Sequence, residues 1–260
     1  MSRLSLTVAL SVLFAMASVA NGQPKATPAK PAPTRPAAPV VEWRSGPMVI
    51  FVADGAGGET TVADALTDIA EWRHFPVKVR SVGWCRELEV YKNVIDEPAQ
   101  LAAADRLAEC VKAMRKKSPD CQIVFVGYSA GARVVLAAAE SLPAGSIDRI
   151  VVMGSAVSSH YDLRPALRAS RGGIDAFFST WDQLLLTLEE FPVTAEMLRP
   201  ASAGRVGFHY PGDKKDCATA YAGLRQYPWR MEMGGSGGHF YWATSVFLAR
   251  MLTAIQVPPL

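Results

Sequence analysis

The sequence predicts an α/β protein built on a mostly parallel sheet flanked by helices on both faces. Three observations carry this. Short, continuously apolar runs alternate with longer helix-forming segments, as expected of strands buried on both sides and joined by crossover helices. One of those runs, Cys121–Val126, leads straight into Gly127-Tyr128-Ser129-Ala130-Gly131 and then into helix formers, which places a serine at a tight strand-to-helix turn. Near the other end, Gly234-Gly235-Ser236-Gly237-Gly238 delivers His239 just ahead of a last helix.

The elements follow in order. Residues 1–20 read as an export signal: Arg3 precedes the apolar stretch Leu4–Ala17, and Ser18-Val19-Ala20 supplies the small residues of a cleavage site. That stretch is too short to span a bilayer comfortably, so membrane contact is expected only transiently, during export, and the product is expected to be secreted or periplasmic. Residues 21–40 form a Pro/Ala-rich linker whose proline density excludes helix and sheet. The folded domain is expected over 41–260. Within it Met48–Ala53 is the first strand and Asp54–Gly58 a loop. Thr61 with Asp64 resembles a capping box, and Val62, Ala65, Leu66 and Ile69 mark one face of the helix that follows. Val77–Val82 is a strand and Pro98–Lys117 a long helix. After the serine turn come the helix Ala132–Glu140, the strands Arg149–Met153 and Ile174–Phe178, and a helix over Gln183–Glu190. Arg205–His209 and Trp229–Met233 read as further short strands, and the last helix runs through Val246, Phe247, Met251 and Ile255.

Composition excludes several functions. A formal net charge of +3 is too small to imply a nucleic-acid partner, and the basic run Arg115-Lys116-Lys117 falls where cations complement a helix dipole. The four cysteines lack C-x-x-C spacing, so neither a zinc site nor a thioredoxin motif is expected, and no metal is called for. In an oxidising compartment they permit two disulfides. Cys110, late in a helix, is placed to meet Cys121 at the base of the sheet, which leaves Cys85 with Cys217; four free thiols are the alternative. A nucleotide-binding reading of Gly55-Ala56-Gly57-Gly58 fails because Thr60 occupies the third glycine position of G-x-G-x-x-G and no acid ends the second strand.

The serine turn carries chemistry instead. Serine is a weak nucleophile until a base within hydrogen-bond reach, itself oriented by a third group, takes its proton. His239 is the expected base, because its glycine-rich loop can bring an imidazole over the sheet edge. His160 is second, while His74 sits at a helix end far from the carboxyl ends of the strands and His209, inside an expected strand, reads as structural. Asp182 is the expected acid, just past a strand end and between serine and histidine in the chain; Asp162, Asp213 and Asp216 are rivals. The oxyanion donors are expected from the backbone N–H of Ala130 and from that of Ala56, with Gly57 close behind.

Taken together these residues resemble the α/β-hydrolase superfamily from about Met48 onward. G-Y-S-A-G matches its nucleophile elbow, D-G-A-G-G stands where lipases and esterases often carry H-G-G-G, and the order Ser129, Asp182, His239 is the superfamily's order. The resemblance implies a cofactor-free serine hydrolase acting on a small-molecule or lipid-like carboxylic ester. Two departures stand out: Asp54 replaces the usual histidine, and the short segment between the fourth and fifth strands leaves no room for a large cap. The site should therefore be open, a shallow apolar cleft walled by Ser158–Asp162, Trp84, Tyr128, Trp181 and Tyr241. A catalytically inactive hydrolase fold serving as a surface or adhesion module is the alternative.

Overall fold

The computed structural model describes residues 44–58, 60–86, 89–191, 194, 197–210 and 219–256. The expected signal and linker, Cys217, Asp213 and Asp216 lie outside them. Six strands form the sheet: β1 Met48–Ala53, β2 Val77–Ser81, β3 Gln122–Tyr128, β4 Arg149–Met153, β5 Ile174–Phe178 and β6 Leu224–Pro228. All neighbours are parallel and the order is β2-β1-β3-β4-β5-β6.

Because side chains alternate along a strand, the continuous apolar runs feed two cores at once. Ile50, Val52, Val124, Val126 and Met153 point to one face, where helices α1 (Thr61–Trp72) and α8 (Ser245–Gln256) cover them with Val62, Leu66, Phe247 and Leu248. Phe51, Ile123, Phe125, Ile150 and Val152 point to the other, under α3 (Glu97–Lys117), α4 (Gly131–Glu140) and α5 (Arg164–Ala169). Three further helices are α2 (Val90–Ile95), α6 (Gln183–Glu190) and α7 (Ala203–Val206). The chain leaves β1 towards β2 and returns on the other side of β1 as β3, so the topology switches between β1 and β3. The loops after those two strands lie where ligand sites of such sheets form.

Several expectations need correction. Arg205–His209 is not a strand: Ala203–Val206 is a helical turn and Gly207 takes φ 79°. Phe208 still behaves like a strand residue locally, because its N–H and C=O pair with the Gln226 side-chain amide at 2.6 and 2.9 Å. The sixth strand lies at Leu224–Pro228, and Met231–Met233 is a 3-10 turn. Thr61 opens α1 rather than capping it, and the acceptors for that helix come from Asp54. Cys85, Cys110 and Cys121 are free thiols, so the Cys110–Cys121 pairing is not formed; the Cys121 thiol instead donates to the Pro47 carbonyl at 3.1 Å.

Candidate active site

Ser129 sits between β3 and α4 with φ 54°, a left-handed conformation that L-residues other than glycine rarely adopt. The surrounding packing imposes it. A Cβ on Gly127 would lie 2.6 Å from Val135 and 2.7 Å from the Ala132 backbone. One on Gly131 would lie 2.1 Å from the Ala53 carbonyl oxygen. Both glycines of the motif are thus required by the approach of α4 to β3 and β1. Backbone bonds pin the turn: the Ser129 N–H donates to the Met153 carbonyl at 2.9 Å, and the Ser129 carbonyl accepts from Ala156 at 3.0 Å.

His239 reaches this serine from the loop that enters a 3-10 turn, His239–Ala243. Gly235 at φ 71° and Gly237 at φ 69° bend the approach, and a Cβ on Gly235 would strike the Tyr241 ring at 2.3 Å. Gly154, at the end of β4, leaves room beneath the imidazole, since a Cβ there would stand 3.3 Å from His239. His239 Nε2 lies 2.9 Å from Ser129 Oγ and Nδ1 lies 2.7 Å from Asp182 Oδ2. Asp182 follows β5 and is the N-cap of α6; its Oδ1 accepts from the Leu185 N–H at 3.0 Å. All three residues are buried, Asp182 completely. Beside them the Tyr128 ring lies 5.1 Å from the imidazole, its hydroxyl donates to the His239 carbonyl at 3.3 Å, and burial pushes its phenol pKa up.

The loop Asp54–Gly58 borders the serine, Gly55 lying so close that a Cβ there would be 3.5 Å from that of Ser129. Among the described residues neither the Ala130 N–H nor the Ala56 N–H is bonded, and Ala130 stands at the N-terminal end of α4. Two residues that the sequence did not single out hold this loop. Asn93 on α2, buried, donates to the Ala56 carbonyl at 2.7 Å and to the Arg86 carbonyl at 2.6 Å. Asp54 accepts from Val62 and Ala63 at 2.6 and 3.3 Å, tying the start of the loop to the start of α1. Burial raises the Asp54 carboxyl to about 6, against the opposing pull of those two N–H groups.

The rival residues lie elsewhere. Asp162 is held by Arg164 at 2.6 Å and accepts from Tyr221. His160 and His209 are exposed and meet edge to face at 5.4 Å, while His74 ends the α1 turn at φ 54°. The expected aromatic wall is also corrected. Trp84, Tyr128 and Tyr241 fill the interior, Trp84 donating to the Asp54 carbonyl at 2.9 Å. The exposed aromatics beside the site are Trp181 (43%), which precedes Asp182, and Phe240 (64%), which follows His239.

Comparisons with known proteins agree with this architecture. A Cutinase family model matches residues 55–174, a stretch that holds Ser129 and ends before Asp182 and His239. No curated protein matches the sequence. Among solved structures, LpqC, a poly(3-hydroxybutyrate) depolymerase from Bordetella parapertussis, superposes with a TM-score of 0.52 at 13% identity, over 84% of each chain. A serine hydrolase without a lid from Xanthomonas campestris gives 0.44 at 16% identity, over 83% of each chain. A cutinase-like protein from Cryptococcus gives 0.44 at 9% identity, over 79% of this chain and 90% of that one. At 13% identity the likeness to LpqC is one of fold alone.

Proposed function

We propose that this chain is a member of the α/β-hydrolase superfamily and a serine hydrolase cleaving carboxylic esters, with Ser129 as nucleophile, His239 as base and Asp182 as the orienting acid. The observation that carries this reading is the continuous hydrogen-bonded chain from Ser129 Oγ through the imidazole to a fully buried carboxylate. Asp182 accepts Nδ1–H and so leaves Nε2 as the base facing the hydroxyl. As Oγ attacks the ester carbonyl its proton passes to Nε2, and the imidazolium that forms is stabilised by Asp182. The new alkoxide needs donors already in place. The N–H groups of Ala130 and Ala56 supply them in this proposal, with Gly57 next in line, and Asn93 fixes Ala56 from behind. His239 then returns the proton to the departing alcohol, and water repeats the sequence on the acyl-serine.

Access fits an uncapped site. The connection from β4 to β5 holds a single helix of six residues, α5, rather than an inserted cap. Trp181 and Phe240 offer apolar surface on either side for an acyl or alcohol chain. Residues 1–20 and 21–40, as signal and tether, complete the reading as an exported enzyme; among the described residues no helix is long and apolar enough to cross a membrane.

The test is covalent labelling with a fluorophosphonate followed by peptide mapping, alongside hydrolysis of ester, thioester and amide panels. The modification should map to Ser129, with esters turned over fastest. Ser129→Ala should fold normally, escape labelling and lose at least about 10⁴-fold in kcat. Undiminished turnover in that variant would sink the proposal.

A further inference from the structure

Three aromatic side chains gather on the His239 side of the site. β5 and β6 pair to their last residues, Phe178 beside Pro228, so the chain leaves both strands at the same end of the sheet. Trp181 follows β5 and Trp229 follows β6, and their indole rings meet edge to face at 6.3 Å. Hydrogen bonds fix both backbones: the Trp181 N–H donates to Ser179 Oγ at 3.2 Å and the Trp229 N–H to the Phe178 carbonyl at 2.7 Å. Trp229 also packs on the loop that delivers His239, since a Cβ on Gly237 would lie 2.6 Å from its ring. Its indole N–H is spent on the Gly234 carbonyl at 3.0 Å. Past the imidazole, Phe240 presents an exposed ring that meets His239 edge to face at 5.9 Å. Trp181, Trp229 and Phe240 thus border the base with apolar surface, and the chain next to each lies among the described residues.

Their position decides which part of an ester they meet. With Ser129 as nucleophile, the carbon under attack carries Oγ, the alkoxide, the alcohol oxygen and the acyl chain. The alkoxide turns to the N–H groups of Ala130 and Ala56. The alcohol oxygen must come within hydrogen-bond reach of Nε2, because His239 hands it the proton as its bond to carbon breaks. The alcohol therefore extends past the groups that border the imidazole, and the acyl chain takes the direction left over. Aromatic rings favour edge-to-face and offset contacts with other rings. Phe240 has no donor for a polyhydroxylated alcohol such as a sugar, and the Trp229 donor is already engaged. We infer, resting on the triad reading, that Trp181, Trp229 and Phe240 form the alcohol subsite and that the favoured substrates are esters of aromatic alcohols rather than of aromatic acids.

Two isomers assayed with the full chain test this, 2-naphthylmethyl acetate and methyl 2-naphthylacetate, which carry the same ring system on opposite sides of the ester. The first should be preferred at least about tenfold in kcat/KM, through a lower KM, because ring contacts hold the bound ester as well as its transition state. Phe240→Ala and Trp181→Ala should each shrink that preference at least about threefold, whereas Trp181→Phe, which keeps a ring, should shrink it less. The readout is a ratio within one protein, so a partial loss of folded enzyme leaves it unmoved. Preference for methyl 2-naphthylacetate, or the parent's ratio in both alanine variants, would overturn the subsite and leave the triad standing. Hydrolysis that survives Ser129→Ala, or hydrolysis of neither isomer by the parent, would overturn the subsite and the triad reading together.

Discussion

Two buried carboxylates, Asp54 and Asp182, occupy equivalent places in the fold and meet different partners. Each follows the carboxyl end of a strand, each accepts hydrogen bonds from the first turn of a helix, and each is shielded from water. The difference is the second partner. Asp182 spends one oxygen on Leu185 and the other on the His239 imidazole, a group that can carry the compensating charge. Asp54 spends both on the backbone of α1, with no cation paired to it among the described residues, and its proton is held up to about 6 by burial. In the proposed mechanism, helix capping with both oxygens leaves Asp54 structural, while capping with one oxygen leaves the other of Asp182 free for the imidazole.

The sharpest way to break that comparison is to neutralise each acid in turn. Asp182→Asn keeps the shape but can present its amide N–H to the imidazole, which favours the wrong tautomer. By this reading kcat should fall about 10⁴-fold with KM little changed. Asp54→Asn retains an acceptor for Val62 and touches no proton in transit, so kcat should stay within about tenfold. Steady-state kinetics on one soluble ester decides it, and equal losses in the two variants would erase the distinction.

The same pair can be separated by stability. Folded Asp54 holds its proton more tightly than the unfolded chain does, so between pH 3.8 and about 6 folding takes up a proton. Its contribution is then fullest below that window and is lost as pH rises through it, by about 3 kcal/mol at pH 7. Asp54→Asn has no such proton. Its stability relative to the parent, measured by urea unfolding, should rise by about that amount between pH 4 and pH 7. A difference flat with pH would mean that Asp54 is charged in the fold without cost.

These two acids also mark what was legible in the sequence. The position of Asp182 against His239 was legible because a strand end followed by a helix start is a local pattern, and because Ser129 and His239 flank it in chain order. The elbow was readable because two glycines on fixed sides of a serine have a steric cause, seen in the close approaches at Gly127 and Gly131. The capping role of Asp54 was not legible: its partners Val62 and Ala63 lie across a loop, and the sequence offered only a departure from H-G-G-G. Asn93 was hidden for a like reason, since its bond to Ala56 spans 37 positions. The misplaced sixth strand has another cause. Arg225 and Gln226 on β6 are polar because one answers Asp175 and the other substitutes for a strand partner of Phe208. Apolar patterning therefore pointed past the edge strand to Trp229–Met233, and Val206-Gly207-Phe208 looked like a strand while Gly207 turned the chain.

The smallest expected effect sharpens the comparison further. At α6 the N-cap residue and the capping acceptor are the same, Asp182. At α1 they are separated: Thr60 holds the N-cap position, but its side chain accepts nothing from the helix and its hydroxyl donates to Asp64 at 2.6 Å on the exposed surface. Replacing a threonine that truly caps costs about 1 kcal/mol, whereas an exposed side-chain pair contributes less. Thr60→Val should therefore lower stability by no more than about 0.5 kcal/mol and leave ester turnover unchanged, because Asp54 still serves Val62 and Ala63. A loss well above 1 kcal/mol in urea unfolding would return the capping role to Thr60. Asp54 would then be a buried charge with no helix to hold, and its likeness to Asp182 would rest on position alone.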